Sequence, residues 1–287
     1  MEQKRLKTAI IGVGRWGKNV AREFDAASEL VYFASKTSDP ALPHARRATV
    51  EEICADQAIE AVAIATPVPT HAEIVRKALE AGKHVFCEKP LTETSAEAHA
   101  LAQLAAEKNR ILMTGYVFLY HPVYDQLKIL VRDKAIKRVE CVWRKYGAFT
   151  DSIENALLTH HLSIAYDLLG MPDAGSLLYR EGSPRSGDHI EIRLEYPSCQ
   201  FVSEIDRLSQ EKTHTIAVTL EDGKILTWDD TQLRRGEELL FEGAGTSLAQ
   251  EIKVFLEAAG GGMAPRTGGD FGARVLEIHE MLKNSRS

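Results

Sequence analysis

Short apolar runs recur through the first 115 residues, and segments with helical spacing of apolar positions separate them. The runs are residues 8–11, 29–34, 60–65, 85–87 and 111–114. Uninterrupted apolar runs of this length are typical of strands that are covered on both faces. The alternation of strands and helices predicts a doubly wound parallel α/β sheet, a Rossmann domain, over residues 1–120.

The pattern changes in the second half of the chain. Runs with a two-residue period follow one another at residues 137–146, 189–196, 200–207, 214–220 and 225–228. Consecutive strands favour an antiparallel sheet. We therefore predict an α+β domain over residues 121–287 with an open, mostly antiparallel sheet. Its helices are expected at 162–169, 247–259 and 270–283, and the last of them could pack back on the first domain.

Composition narrows the function classes. The chain has 287 residues, 26% of them charged, and a net charge of -6, which disfavours nucleic acid as the main ligand. No apolar run approaches the roughly 20 residues of a membrane span, and the start lacks a signal-peptide pattern. The four cysteines are far apart and have no metal-ligand spacing. We expect a cytoplasmic protein that binds a small molecule, with no metal site and no membrane partner.

A glycine-rich turn follows the first predicted strand. Gly12, Gly14 and Gly17 form G-x-G-x-x-G, with Arg15 and Trp16 between the last two glycines, and a helix follows. Between a strand and a helix this motif is typical of dinucleotide binding. The first glycine permits the turn, the second allows a pyrophosphate to approach the backbone, and the third lets helix and strand pack closely. A glycine-rich turn without a ligand is the alternative.

The second strand ends in Ser35 and Lys36, where an NAD site would carry an acidic residue. Hydroxyl and cationic groups suit a 2′-phosphate better, so the sequence favours NADP over NAD. The alternative is that Lys36 is solvated and that Asp39 serves NAD. Arg46 and Arg47 could contact the adenosine end of the cofactor, although a solvated face is the favoured interpretation.

Two further strands end in groups that we assign to the cofactor site. After the third strand, Thr66 and Pro67 begin a stiff loop that we place beside the nicotinamide. His71 follows, either at the cofactor or as an ordinary helix residue, and Thr70 is predicted to cap this helix. The strand over 85–87 ends in Glu88, Lys89 and Pro90. At the carboxyl edge of an open α/β sheet, Lys89 is the first candidate for a catalytic group.

In the second half, His160 and His161 precede the helix predicted at 162–169. A histidine beside a cofactor cleft can accept or donate a proton near neutral pH, so His160 is a candidate acid/base. The alternative for the pair is a helix entry without chemistry. Tyr116, His121 and His161 are candidate substrate contacts.

The order and spacing of four motifs resemble the Gfo/Idh/MocA oxidoreductases. The motifs are Gly12-Val13-Gly14-Arg15-Trp16-Gly17, Ala65-Thr66-Pro67 with His71, Glu88-Lys89-Pro90, and Gly115-Tyr116 through His121-Pro122. The resemblance is strong over residues 6–122 and weaker from His160 to Gly170. It implies an NAD(P)-dependent dehydrogenase acting on sugars or nucleotide sugars. It also implies Lys89 beside the nicotinamide, His160 as acid/base, and a cis bond between Lys89 and Pro90.

The chain departs from this pattern before the histidine. Many members carry an aspartate four residues before it, where this chain has Ala156, and a proline directly before it, where this chain has Thr159. This departure keeps open the alternative of an NAD(P)-binding sensor that has lost turnover. Separately, the protein could reduce an imine or an enone instead of a sugar-like carbonyl.

Two expectations concern the second domain as a whole. An open sheet face with a large apolar patch is rare on a monomer, so we expect a homodimer or homotetramer joined through that face. Substrate specificity is expected from the loops over residues 146–160 and 180–190.

Overall fold

The chain divides into two compact units. The computed structural model describes residues 5–36, 42–146, 152–182, 189–243 and 246–285. The first unit comprises Met1–Val117 and Leu248–Leu276, and the second comprises Phe118–Ser247 and Glu277–Ser287. A single boundary after residue 120 is expected from the sequence, whereas in the structure residues 248–276 also belong to the first unit.

The first unit contains a six-stranded sheet. Its strands are β1 (Lys7–Ile11), β2 (Glu29–Ala34), β3 (Arg46–Arg47), β4 (Ala61–Ile64), β5 (His84–Glu88) and β6 (Leu112–Gly115). The strand order is β3-β2-β1-β4-β5-β6, and every pairing is parallel. The order reverses between β1 and β4, which is where open α/β sheets form a ligand crevice at the carboxyl ends of their strands. The predicted doubly wound parallel sheet is confirmed.

Eight helices accompany the strands in the described part of the chain. They are α1 (Gly17–Ala27), α2 (Val50–Ala55), α3 (His71–Glu80), α4 (Ser95–Glu107), α5 (Pro122–Val131), α6 (Thr159–Leu169), α7 (Ser247–Ala259) and α8 (Gly269–Asn284). Among the described residues, no helix combines the length and the apolar character needed to cross a bilayer. Within the same ranges, no group of three His, Cys, Asp or Glu side chains is arranged to hold a metal ion.

The two faces of the parallel sheet have separate cores, because side chains along a strand alternate between faces. On β5, Val85 and Cys87 belong to the core formed with α2, α3 and α4. Phe86 lies on the opposite face, where its ring centroid is 5.9 Å from that of Phe24 on α1 and 5.8 Å from that of Phe255 on α7. Helix α7 therefore completes the core of the Rossmann unit, although its sequence position suggests the second domain.

The second unit contains an eight-stranded sheet. Its strands are β7 (Ile136–Arg144), β8 (Ala174–Glu181), β9 (His189–Glu195), β10 (Gln200–Asp206), β11 (Thr213–Leu220), β12 (Ile225–Asp229), β13 (Gln232–Arg235) and β14 (Glu238–Glu242). The order is β14-β13-β12-β11-β7-β10-β9-β8, and only β7 and β10 pair in parallel. The predicted mostly antiparallel sheet is confirmed. The sequence pattern missed β8, because this edge strand is largely exposed and lacks a clean alternation.

The two faces of the eight-stranded sheet differ in polarity. Inward residues such as Ile192, Phe201 and Ile216 are fully buried. The outward positions instead carry ion pairs, including Arg144 Nε at 2.8 Å from Glu204 Oε1. The expectation of a large apolar outer face is therefore wrong. Homodimer or homotetramer formation stays a prediction, but it loses the physical reason from which it was inferred.

Helix α6 starts earlier than its apolar pattern indicates. A π-helical turn over Glu154–Leu158 leads directly into α6. In this turn the backbone N–H of Thr159 donates to the carbonyl of Glu154, five residues earlier. The sequence predicts an irregular stretch here, because a single π-helical turn has no distinctive apolar period.

Candidate functional site

The glycine loop between β1 and α1 has the geometry that its motif predicts. Gly12 has φ +95°, a backbone conformation that L side chains rarely adopt. A Cβ added to Gly17 would lie 2.2 Å from the carbonyl oxygen of Gly12, so only glycine allows this close packing of helix and turn. A Cβ added to Gly14 would meet no atom within 4 Å. The fold therefore requires Gly12 and Gly17, whereas at Gly14 the backbone faces open space.

Helix α1 presents its amino terminus at this loop. It has no side-chain cap and no acidic residue in its first turn. The positive end of the helix dipole is therefore not offset locally by a carboxylate. Such a helix start, preceded by a glycine with open space around it, is suited to a pyrophosphate. The residues present fit a dinucleotide, with Gly14 as the point of closest backbone approach.

A second cation, Arg47 on β3, lies beside the end of β2, where the cofactor's ribose is predicted. Ser35 and Lys36 follow the strand, and Lys36 is exposed. Arg47 on the neighbouring β3 donates from Nη1 to the carbonyl of Ser35 at 2.5 Å, and its guanidinium lies 5.4 Å from the ring centroid of Phe33. The alternative acidic residue, Asp39, lies outside the described residues.

The loop after β4 is held by His71 rather than capped by Thr70. The Thr70 side chain makes no capping bond to α3, so the predicted capping box is wrong. A short 3-10 turn occupies this position, and the Thr70 hydroxyl donates to the carbonyl of Pro67 at 2.7 Å. His71 is 1% exposed, and its ring nitrogens lie 2.8 Å from the carbonyl of Thr66 and 3.0 Å from the carbonyl of Pro90. Burial lowers the pKa of His71. This histidine therefore bridges two loops of the site through their backbones.

The end of β5 carries the charged pair that the sequence singled out. Glu88 is 8% exposed and accepts a hydrogen bond of 2.7 Å from the indole Nε1 of Trp16, whose side chain is 44% exposed. Burial raises the pKa of Glu88, and Trp16 and Lys89 oppose that rise. Lys89 is half-buried, and the bond between Lys89 and Pro90 is cis, as the resemblance implies. The indole of Trp16 therefore links the glycine loop to the end of β5.

These groups share one edge of the parallel sheet. Gly12, Ser35 and Lys89 come directly after β1, β2 and β5, and Thr66 is the second residue after β4. These four strands are adjacent in the order β2-β1-β4-β5. Parallel strands present their carboxyl ends at the same edge, so the sheet brings these groups into one row. Pro67 and Arg15 are exposed within this row. The arrangement provides an extended site for a dinucleotide followed by a lysine.

The candidate histidines of the second unit lie in an aromatic cluster. His160 is 7% exposed, and its ring makes an edge contact with Phe118 at 4.9 Å between centroids. His161 is 0% exposed and its Nδ1 lies 2.7 Å from the hydroxyl of Ser203. Burial holds the pKa of His161 well below its usual value, so this ring is neutral. The structure gives His161 a packing role, whereas His160 lies nearer the surface.

Two other candidate substrate residues have structural contacts. Tyr116 is 0% exposed, and its ring lies 5.6 Å from that of Phe271. His121 caps α5, where its Nδ1 accepts from the backbone N–H of Val123 at 3.2 Å, and its ring lies 5.0 Å from that of Trp228. Neither contact requires a ligand.

The segment before His160 contains a buried carboxylate, but not at the position that the resemblance implies. Glu154 is 8% exposed and pairs with Nη1 of Arg180 on β8. Ala156 itself has no side chain that could take part in acid/base chemistry. The specificity loops predicted over 146–160 and 180–190 lie partly outside the described residues, which leave out 147–151 and 183–188.

One residue near the site was not singled out from the sequence, and the contact of another required the fold. Glu251 on α7 is 0% exposed, and the charge of Glu88 helps to raise the pKa of its carboxyl. An acidic residue at a position with apolar helical neighbours was the available signal, since Ile252 and Phe255 flank it. Arg47 was considered for the adenosine end, but its bond to the Ser35 carbonyl required the pairing of β3 with β2.

Residues 6–116 match a family model described as an oxidoreductase family, Gfo/Idh/MocA, with an NAD-binding Rossmann fold. This part of the chain is therefore similar to the Gfo/Idh/MocA oxidoreductases. The match ends at Tyr116. It covers the glycine loop, the Thr66–Pro67 loop and the Glu88-Lys89-Pro90 motif of this family.

Curated relatives match somewhat less than half of the chain. UDP-N-acetylglucosamine 3-dehydrogenase of Acidithiobacillus ferrooxidans is 31% identical over 129 residues, which cover 43% of this chain and 41% of that protein. dTDP-3,4-didehydro-2,6-dideoxy-alpha-D-glucose 3-reductase of Saccharopolyspora spinosa is 34% identical over 143 residues, which cover 47% and 43%. The matched segments thus span less than half the length of these relatives.

Solved structures extend the similarity of fold to the second unit. UDP-N-acetylglucosamine 3-dehydrogenase GnnA from Acidithiobacillus ferrooxidans aligns with a TM-score of 0.82 and 21% identity, covering 98% of this chain and 99% of that chain. At this identity the similarity shows the fold alone. The fold of this chain is therefore similar to that of GnnA over nearly its whole length.

Proposed function

We propose that the protein is an NAD(P)-dependent oxidoreductase. In this proposal a hydride passes between the nicotinamide and a carbinol or carbonyl carbon of a sugar-like or nucleotide-sugar substrate. The observation that carries it is the row of groups at one sheet edge, where the open backbone at Gly14 and the half-buried Lys89 follow β1 and β5. The named activities of the Acidithiobacillus and Saccharopolyspora relatives, both on nucleotide sugars, support this substrate class.

The Rossmann unit contributes binding and orientation. Backbone N–H groups at the start of α1 would hold the pyrophosphate, and the Thr66–Pro67 loop, fixed by His71, would position the nicotinamide end. The bound cofactor would supply the hydride chemistry. Lys89 would hold and polarise the reacting oxygen, and we assign the proton transfer to His160 from the family resemblance.

We also propose NADP as the preferred cofactor. Three groups at the end of β2 suit a 2′-phosphate: the Ser35 hydroxyl, the Lys36 ammonium and the Arg47 guanidinium. The bond from Arg47 to the Ser35 carbonyl supports this assignment, because it fixes a planar donor group beside the position where the ribose is expected. NAD stays the alternative, since it needs no cation here.

The test of the mechanism is Lys89→Met, which keeps the length of the apolar stem and removes the ammonium. We expect NADPH affinity within about threefold of the wild type. Turnover of a nucleotide sugar should fall by at least about 100-fold, because general acid/base groups contribute about 10²–10⁴-fold. Lys108→Met is the matched control, since Lys108 is exposed at the end of α4. Unchanged turnover in Lys89→Met would contradict the proposed role of Lys89.

One observation favours a second function, an NAD(P)-binding sensor that has lost turnover. Ala156 occupies the position at which the resemblance implies an aspartate, and the nearby Glu154 is paired with Arg180. A sensor would bind NADPH but would not oxidise or reduce any sugar, polyol or nucleotide sugar in single-turnover measurements. Measurable hydride transfer to any of these compounds would exclude this reading as the main role.

A further inference from the structure

A buried carboxyl on α7 faces the end of β5. Phe86 and Glu88 are two residues apart on β5, so they share one face of the strand. Glu251 and Phe255 are four residues apart on α7, so they share one face of the helix. Phe255 contacts Phe86, with ring centroids 5.8 Å apart. One helical turn before this contact, Glu251 lies near Glu88, and the charge of Glu88 acts on it.

Both carboxyls of this pair are buried. Glu251 is 0% exposed and Glu88 is 8% exposed. Glu88 accepts from the indole of Trp16. Neither carboxyl oxygen of Glu251 makes a hydrogen bond of normal geometry with another described residue, although the backbone N–H of Tyr116 lies close enough to act on this carboxyl. A carboxyl so placed is unusual, because buried polar groups are nearly always paired.

The adjacent strand is shaped to admit the Glu88 carboxyl. Gly115 on β6 is the register partner of Glu88. A Cβ at Gly115 would lie 3.3 Å from Glu88 Oε1 and 2.9 Å from Cζ of Phe86. The absence of a side chain at this position therefore leaves the space that Glu88 occupies next to Glu251.

Electrostatics decides how many protons the pair holds. Two carboxylates close together in a buried site do not both ionise at neutral pH, because burial and mutual repulsion disfavour the second charge. Burial raises the pKa of both groups, well above the usual value in Glu251, where the charge of Glu88 adds to the rise. The indole of Trp16 and the positive charge of Lys89 favour the ionised form of Glu88. The proton therefore belongs on Glu251.

We propose that Glu251 carries the single proton of a Glu251–Glu88 pair and is a positioning residue that keeps Glu88 as the only anion next to Lys89. Among the described residues, the charge of Lys89 acts on Glu88, and the charge of Glu88 acts on Glu251. The neutral groups beside the pair are the indole of Trp16 and the backbone N–H of Lys89 at Glu88, and the backbone N–H of Tyr116 at Glu251. The effect on turnover rests on the proposed function, whereas the proton count of the pair does not.

The test uses the indole ¹⁵N–¹H resonance of Trp16 as a reporter, since this group donates directly to Glu88. The protein has three tryptophans, and a spectrum of Trp16→Phe assigns the resonance. The resonance is followed between about pH 4 and pH 10 in the wild type and in Glu251→Gln, which keeps the shape and removes the titratable proton. Glu257→Gln, an exposed position on the same helix, is the matched control.

We expect two titration steps in the wild type, because coupled carboxyls lose their protons in two macroscopic steps. Glu251→Gln should show only the acid step, and Glu257→Gln should show both. A second titration step that survives in Glu251→Gln would overturn the proposal, as would a wild-type resonance with one step only. If Glu251→Gln does not fold, ¹³C spectra of glutamate-labelled wild type decide: one carboxyl must remain protonated at pH 7, and its absence would refute the proton assignment.

The role in positioning has its own readout. The profile of kcat/KM against pH should lose one alkaline ionisation in Glu251→Gln, whereas a purely structural role would lower kcat/KM without changing the number of ionisations. A profile that keeps every ionisation would refute the positioning role. An absence of turnover in the wild type would refute the proposed function instead, and the tryptophan titration would still decide the proton count.

Discussion

Two glycines of one motif are predicted to respond in opposite ways to the same change. In Gly17→Ala the new Cβ would lie 2.2 Å from the carbonyl oxygen of Gly12 and 3.4 Å from Cβ of Ala65. The first of these contacts is more than 1 Å inside normal packing distance, and backbone atoms cannot rotate away. Overpacking of this kind costs about 1–3 kcal/mol. We expect the upper part of that range, because the Gly12 turn is itself fixed by a positive φ.

In Gly14→Ala the new Cβ meets no protein atom within 4 Å. The free energy of unfolding should therefore change by less than about 0.5 kcal/mol. Binding of NADPH should weaken by about 10- to 100-fold, because the methyl group occupies the space through which the pyrophosphate reaches the backbone. This factor corresponds to one charge-assisted hydrogen bond of about 1.5–3 kcal/mol.

The assay pairs thermal unfolding without ligand with fluorescence titration by NADPH. Gly17→Ala should lower Tm by about 5–10 °C, since 1 kcal/mol corresponds to about 2–4 °C in a domain of this size. Gly14→Ala should leave Tm unchanged and raise Kd. If Gly14→Ala binds NADPH as the wild type does, the role given to Gly14 is wrong. If Gly17→Ala is as stable as the wild type, the role given to Gly17 is wrong.

Three further predictions concern other parts of the structure. Phe255→Ala should destabilise the protein by about 3–5 kcal/mol in chemical denaturation, because Phe255 is 0% exposed between Phe24 and Phe86, whereas Met263→Ala at a 92% exposed position should not. Arg47→Gln should raise Kd for NADPH at least about tenfold and leave Kd for NADH unchanged, as titration calorimetry can measure. Burial lowers the pKa of His214 to about 4, below its value of about 6.5 in the unfolded chain. The unfolded state thus binds more protons in this window, so the wild type should lose about 3 kcal/mol of stability as pH falls from about 6.5 to about 4, and His214→Phe should lose less.

The sequence predicts the Rossmann unit well because its signals are local. Apolar runs covered on both faces and a glycine motif between strand and helix each fix one element within a few residues. The capping box at Thr70 failed because a 3-10 turn leads directly into α3 and the Thr70 hydroxyl donates to the carbonyl of Pro67 instead of capping the helix. The local sequence does not show whether the Thr70 hydroxyl caps α3 or donates to the carbonyl of Pro67, because the tertiary structure decides between the two.

Features that depend on distant residues were harder to predict. Nothing in the segment of α7 indicates that Phe255 meets Phe86 across about 170 residues of chain, so the assignment of this helix to the Rossmann unit required the fold. The same holds for Glu251, whose burial against Glu88 follows from that packing. The charged outer face of the second sheet was also missed, because alternation identifies a strand but does not show how polar its open face is.

In the candidate site, too, local motifs could be predicted from the sequence and contacts between distant residues could not. The sequence predicted Lys89, Glu88 and the three glycines as site residues, because motif and strand end coincide there, and these assignments stay predictions. It did not show that both ring nitrogens of His71 lie near backbone carbonyls, which gives this residue a structural role in the site. These contacts join loops that are about 20 residues apart in the chain, and only the tertiary structure brings them together.

A fluorescence titration of the purified wild-type protein with NADPH and with NADH would test whether the glycine loop binds a dinucleotide. We expect saturable binding of both nucleotides, with a lower Kd for NADPH because of Ser35, Lys36 and Arg47. Tighter binding of NADH would contradict the cofactor preference alone. Binding of neither nucleotide at millimolar concentration would contradict the account as a whole, since the glycine loop would then be a turn without a ligand.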